Sequence, residues 1–311
     1  MFDFLAITWN VDPIICKLGP LALRYYSLLF IAGFPIGYYI FTNMYKREGV
    51  NPDLIEPFLY IMLICTIVGA RLGHCLFYEP EYYLSHPVEI LKVWNGGLAS
   101  HGGAIAVVIG ILIYARKYGR QNGFDSLWVF DRIGIPVCFT GAFIRLGNLF
   151  NSEIFGGATT LPWGFRFVRS AQWVAEYGPT VYPPEGAACH PTQIYEALGY
   201  AILGAVLLAI YNKRGKSLHK GWLFGVFLIA LFSIRFVIEF IKNDQVGFEK
   251  GMLFNMGQLL SVPFILAGIA FIVYSHKTKI PALLEPKPVK EPAVKGPRMS
   301  RAKRKAAGMQ Q

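Results

Sequence analysis

Apolar residues gather along this chain into seven blocks, at about 22–44, 54–78, 97–115, 127–150, 193–211, 221–241 and 255–275. A helix rises 1.5 Å per residue, so ~20 apolar residues cross a ~30 Å hydrocarbon layer. Each block therefore predicts one membrane-crossing helix. Short polar connections separate the blocks, apart from one long insertion near 151–192. No internal repeat relates the two halves, which counts against an inverted-repeat transporter. The predicted fold class is all-α: a polytopic integral membrane protein with seven transmembrane helices.

Composition agrees. Hydrophobic residues make up 54% of the 311 residues and charged residues 16%, with a mean hydropathy of +0.41. Soluble domains carry ~25% charged residues, so much of this surface does not face water. The net charge of +11 is concentrated in the tail, where ten Lys or Arg between Lys277 and Lys305 face only Glu285 and Glu291. The chain divides accordingly into a seven-span domain over 1–276 and a basic, Pro-rich tail over 277–311, expected to be disordered. That tail has no aromatic residue and no folded motif, so nucleic acid is not an expected partner. An anionic membrane surface is.

Orientation follows from the basic residues. The tail and the loops after spans one, three and five hold nineteen Lys or Arg, against six on the opposite side. The positive-inside rule then predicts an outside N-terminus and a cytoplasmic C-terminus. The first residues carry Asp3 and Asp12 in place of a basic segment, so no removable signal peptide is expected. Five cysteines form no CxxC pair or zinc spacing, and pairing of Cys16 with Cys189 stays open.

Five arginines remain, within or at the rim of spans: Arg24, Arg71, Arg132, Arg145 and Arg235. Each costs at least ~2.5 kcal/mol at membrane depth, so each needs a reason. Snorkelling to the interface suits Arg24 and Arg132 best. Arg145 lies in a polar run with Asn148, Asn151, Ser152 and Glu153. Helical spacing places Arg145, Asn148 and Ser152 on one face, and a guanidinium matches phosphate oxygens two at a time. Arg235 and Glu239 form an i,i+4 pair, for which mutual neutralisation is the plain alternative. Gln193 and Glu196 share a face at the start of span five, after His190-Pro191, with His190 as a candidate cap.

His101 stands among Gly96, Gly97, Gly102 and Gly103, a frame that lets backbone and ligand approach. Small residues around Arg71, at Gly69, Ala70 and Gly73, predict close helix packing. Tyr25-Tyr26 is open to an interfacial reading. Together these residues describe a cationic, histidine-containing cavity suited to an anionic lipid headgroup. A binding or transport protein and a lipid-using enzyme share that description.

The motifs resemble the bacterial prolipoprotein diacylglyceryl transferase family from about Trp9 to about Pro263. The most specific is Arg145-x-Gly-Asn148-x-x-Asn151-x-Glu153-x-x-Gly156. Supporting it are Gly96-Gly97-x-x-x-His101, His190-Pro-x-Gln193-x-Tyr-Glu196, Arg235-Phe-x-x-Glu239 and Met256-Gly-Gln-x-x-Ser261. Ile144, and Leu231 with Phe232, depart from residues often seen in the family. The resemblance implies a transferase of the bacterial inner membrane working without cofactor or metal. It would move the diacylglyceryl group of phosphatidylglycerol onto the lipobox cysteine of a prolipoprotein signal peptide, releasing glycerol phosphate. His101, Arg235 and Tyr26 then match catalytic positions. Arg145, Asn148, Asn151 and Glu153 match lipid-binding ones, with Arg71, Gln193, Glu196 and Glu239 in support.

Overall fold

The computed structural model describes residues 6–19, 21–93, 97, 99–170, 188–243 and 252–283. Gly96, residues 171–187 of the insertion and residues 284–311 of the tail lie outside them. Three short strands come first: β1 (Ile7–Trp9), β2 (Ile14–Leu18) and β3 (Leu21–Arg24). Helices α1 (Tyr25–Glu48), α2 (Ile55–Phe77), α3 (Pro80–Ser85), α4 (Pro87–Ile90), α5 (Ser100–Tyr114) and α6 (Ser126–Phe150) follow. Strand β4 (Phe165–Phe167) precedes α7 (Thr192–Arg214), α8 (Trp222–Glu239) and α9 (Met256–Thr278).

Among the described residues seven helices are long and apolar enough to cross a membrane, and each contains one of the seven predicted blocks or most of it. The chain is a multi-pass membrane protein. Several helices outrun their apolar blocks because cations serve a helix C-terminus well. Lys46 and Arg47 close α1, Lys213 and Arg214 close α7, and His276 and Lys277 close α9. The chain then stays packed: Ala282 is buried, and the backbone N–H of Lys220 donates to Ile280 O at 3.0 Å. The folded part thus extends past the expected boundary at 276.

Helices α1, α6, α7, α8 and α9 pack in sequence, and α2 with α5 forms a second layer. At the end where α1 finishes the two layers join through a cluster including Phe41, Tyr45, Phe58, Tyr114, Phe124 and Trp128. Tyr45 and Tyr114 share a hydroxyl–hydroxyl bond of 2.9 Å there. Glu48 completes this end by accepting from Arg132 (2.7 and 3.1 Å), Trp128 Nε1 (2.7 Å) and Tyr211 OH (2.7 Å). Arg132 is therefore buried in an ion pair and does not snorkel, because α1 brings it a carboxylate. Arg24 is exposed at the start of α1, as an interfacial arginine should be.

The strands lie at the opposite end, where α1 begins. β2 and β3 form a hairpin turning at Gly19, whose φ of 61° suits glycine. β1 pairs in parallel with β4 from the insertion. Both pairings escaped the sequence reading, because three to five residues carry too little period to see. No disulfide joins Cys16 to Cys189.

Candidate active site

The end of α6 supplies the first half of the site. The helix stops at Phe150, Asn151 caps it, and Ser152 and Ile154 take positive φ values of 54° and 60°. Ser152 thus lies off the helix, correcting the single face expected for Arg145, Asn148 and Ser152. The left-handed turn folds Glu153 back, where its Oε1 accepts from Asn148 (2.8 Å) and Asn151 (3.0 Å). Asn148 in turn accepts from Arg145 at 3.1 Å. Gly156 anchors the turn: an added Cβ would collide with Ile241 O and with His190 Cβ at 2.8 Å.

The start of α7 supplies the second half. Pro191 holds the N-cap position, one residue later than the expected cap, and His190 does not cap the helix but faces Tyr195 OH at 3.3 Å. Gln193 donates to Glu153 O at 2.7 Å. Glu196 is fully buried and pairs with Arg145 Nε at 2.8 Å. Tyr200 OH donates to the same carboxylate at 3.2 Å.

From the end of α8 come Arg235 and Glu239, 3.4 Å apart. Their pair is not closed on itself. Glu239 also meets Lys242 (3.2 Å) and Asn255 Nδ2 (3.3 Å). Lys242 reaches on to Glu196 at 3.1 Å, so one ammonium ties both carboxylates together. Burial lowers its pKa; Glu196 pulls it back up, Arg145 pushes it down again, and Glu239 and Arg235 repeat that opposition more weakly. In the sequence Lys242 follows span six and reads as a loop cation, although its i,i+3 spacing from Glu239 is a usable signal.

Arg145, Arg235 and Lys242 thus face Glu196, Glu239 and, through Asn148, Glu153, so three charges of each sign gather at the end of the bundle. Arg235 is the most accessible of the three, with its side chain 30% exposed. Tyr26, on the second residue of α1, packs against Gly147 and lies within electrostatic reach of Arg145 and Glu153. Four of the sequence clusters therefore meet at one place. Asn151 Oδ1, Ser152 Oγ and Gln193 Oε1 are buried beside it without a hydrogen-bond partner. Both amide oxygens are assigned by geometry, since their nitrogens face the carboxylate and the carbonyl of Glu153.

His101 does not join this cluster. It is exposed on the first turn of α5, at the same end of the bundle but on the second layer. The rings of Phe77 (5.2 Å) and Tyr78 (5.9 Å) flank it. Part of its glycine frame serves packing, contrary to expectation: Gly102 abuts Gly69 O and Gly73 Cα, the latter 2.7 Å from where a Cβ would sit. Arg71 is buried nearby and secures the connection into α5 by donating to Glu89 O (2.6 Å), Ile90 O (2.9 Å) and Gly97 O (3.3 Å). It shapes the approach to His101 from outside the ion cluster. Among the described residues no group of three or more His, Cys, Asp or Glu could hold a metal ion.

A sequence model of the prolipoprotein diacylglyceryl transferase family matches residues 13–274, nearly all of the helical body. The chain belongs to that family. It is 45% identical over 271 residues to the phosphatidylglycerol–prolipoprotein diacylglyceryl transferase of Tolumonas auensis, covering 87% of this chain and 98% of the relative. The relative of the same name in Porphyromonas gingivalis is 46% identical over 280 residues, covering 88% and 96%. That of Chloroherpeton thalassium is 39% identical over 271 residues, covering 87% and 95%. The family match spans every cluster described above, from Tyr26 to the Glu239 partners.

Proposed function

We propose that this chain transfers the diacylglyceryl group of phosphatidylglycerol to the lipobox cysteine thiol of prolipoproteins. The observation that carries this reading is the similarity, over most of the chain, to relatives of that name. The ion cluster fits it chemically. A thiolate sulfur attacks the glyceryl carbon that bears the phosphate ester. The carbon–sulfur bond forms as the carbon–oxygen bond breaks, and glycerol phosphate leaves with the electron pair.

Arg145 and Arg235 hold the phosphate as its charge grows, where a fixed guanidinium in a poorly solvated site acts strongly. Glu196, Glu239 and Lys242 keep both arginines in place. Asn151, Ser152 and Gln193 offer oxygens to the hydroxyls of the headgroup. Tyr26 closes the cluster from α1. His101, exposed on the first turn of α5 at the same end of the bundle, takes the thiol proton. The site end faces outward from a bacterial inner membrane, and the basic tail lies in the cytoplasm.

Purified protein incubated with phosphatidylglycerol and a lipobox peptide should add a diacylglyceryl mass to the peptide. The bond should survive base treatment that strips the acyl esters. His101→Gln should lower this turnover ~100-fold or more, the scale of a lost general base, while lipid binding persists. An unmodified peptide with the unaltered protein would reject the reading. Full turnover in His101→Gln would reject the base assignment alone.

A further inference from the structure

The ion cluster leaves a second feature of the bundle unused. Between α1, α2 and α6 lies a groove of about 560 Å³, counting its open side, and no residue lining it is charged. It sits within the membrane-spanning part, where the surroundings are hydrocarbon. Its occupant must therefore be apolar and carry no unpaired backbone group.

The groove continues the seam that leads from the site. Tyr26 packs on Gly147 at the top of the α1–α6 contact. Seven residues further along both helices, a Cβ on Gly33 would meet Thr140 at 2.7 Å. Below that the seam loosens, and a Cβ on Gly37 would meet only Pro136, at 3.6 Å. At 1.5 Å per residue the groove starts ~10 Å below Tyr26 and ends ~22 Å below it, at Phe41. One leaflet is ~15 Å deep, so the top of the groove lies at the depth of the distal part of a lipid chain and its lower end lies past the midplane, within reach of a long extended chain. Its floor, at the lower end, is closed where the ring of Phe41 stacks on that of Phe58, centroids 5.0 Å apart, with Ile55 buried in the same cluster.

We propose that this groove receives an acyl chain of the lipid donor and that its floor sets which chain lengths are transferred. This rests on the transferase reading. A depth match alone would suit a client's apolar segment too. The closed floor favours a chain, because a transmembrane segment ~10 Å wide has to pass through and not end there. Lipid and groove are equally apolar, so selection comes from shape and not from burial.

The test gives purified protein an equimolar mixture of dilauroyl, dipalmitoyl and distearoyl phosphatidylglycerol with a lipobox peptide, and reads the product masses. Gly37→Leu fills the groove where the backbone leaves room for it. It should shift the lauroyl-to-stearoyl product ratio about tenfold toward lauroyl, the scale of overpacking by a methylene or two. Val137→Phe, narrowing the groove from α6, should act in the same direction. Ile105→Phe, on an exposed face of α5, should leave the ratio alone. The ratio comes from one sample, so the fraction of folded protein cancels. An unchanged ratio in both groove variants would overturn the proposal. An unchanged ratio with a raised KM for peptide would overturn it in favour of the client segment. No thioether from any donor with the unaltered protein would instead reject the transferase reading, and the proposal with it.

Discussion

Lys242 shows how one side chain holds two sequence clusters in register. It is buried with its ammonium between Glu196 and Glu239, and those carboxylates hold Arg145 and Arg235. Removing one partner of such a set leaves buried charge uncompensated, at a cost of ~3–5 kcal/mol. Burial lowers the Lys242 pKa, so it loses its proton at a lower pH than the usual lysine value of ~10.4. The sign follows. Between the lowered value and ~10.4 the unfolded chain keeps a proton that the fold has released, so stability rises with pH across that window. Activity moves the other way, because a neutral amine no longer clamps the carboxylates. Turnover should climb as the client thiol ionises near ~8.5 and then fall before the ordinary lysine range. Lys242→Arg keeps its charge and should lose that alkaline fall. Parallel turnover profiles from pH 7 to 11 would check this, and identical alkaline limbs would remove Lys242 from the account.

At the scale of elements, the contact between α2 and α5 decides where His101 stands. Gly102 and Gly103 follow it and look alike in sequence, but they differ in surroundings. A methyl group at 102 would overlap Gly69 O and press on Gly73 Cα, both backbone atoms that cannot turn aside. A methyl at 103 would find nothing nearer than Ala70 Cβ at 3.6 Å. Gly102→Ala should therefore part the helices, cost ~1–3 kcal/mol and lower turnover by displacing His101. Gly103→Ala should stay close to the parent, with thermal melts and turnover of both variants in detergent as the measurement. This pair also marks what was legible in the chain. Seven spans were readable because an apolar block of ~20 residues suits little besides a membrane crossing. Arg145, Glu196, Arg235 and Glu239 were readable because charge at membrane depth needs a partner. Which glycine packs and which partner Arg132 finds were not, since both depend on a helix distant in sequence. Strands of three to five residues and the left-handed turn at Ser152 left too short a pattern.

At the scale of the whole molecule, the two ends of the bundle carry different work. One gathers Arg145, Arg235, Lys242 and His101. The other is sealed by the Glu48–Arg132 pair and by Lys220, whose Nζ lies 2.6 Å from Asp125 Oδ2. The chain beyond α9 belongs partly to that seal. Ile280 O accepts from the backbone of Lys220, and Ala282 and Leu283 pack into the cluster around Tyr45 and Trp128. Beyond them, residues 284–311 hold eight Lys or Arg against two Glu, and no cluster residue of the site. A basic segment of this kind draws on the anionic leaflet at ~1 kcal/mol per charge, without any folded contact. A chain ending after Leu283 should then match the full chain in thermal stability and in turnover with a lipobox peptide. A chain ending after Lys279 should be less stable by about 1–3 kcal/mol, because Lys220 N–H loses its acceptor and the cluster loses two apolar side chains. Its turnover per folded molecule should hold, since the lost contacts lie at the end remote from Arg145. Thermal melts separate the two truncations. A large fall in turnover for the chain ending at Leu283, with its melt unchanged, would place residues 284–311 in the active unit and limit the catalytic body to more than its seven helices.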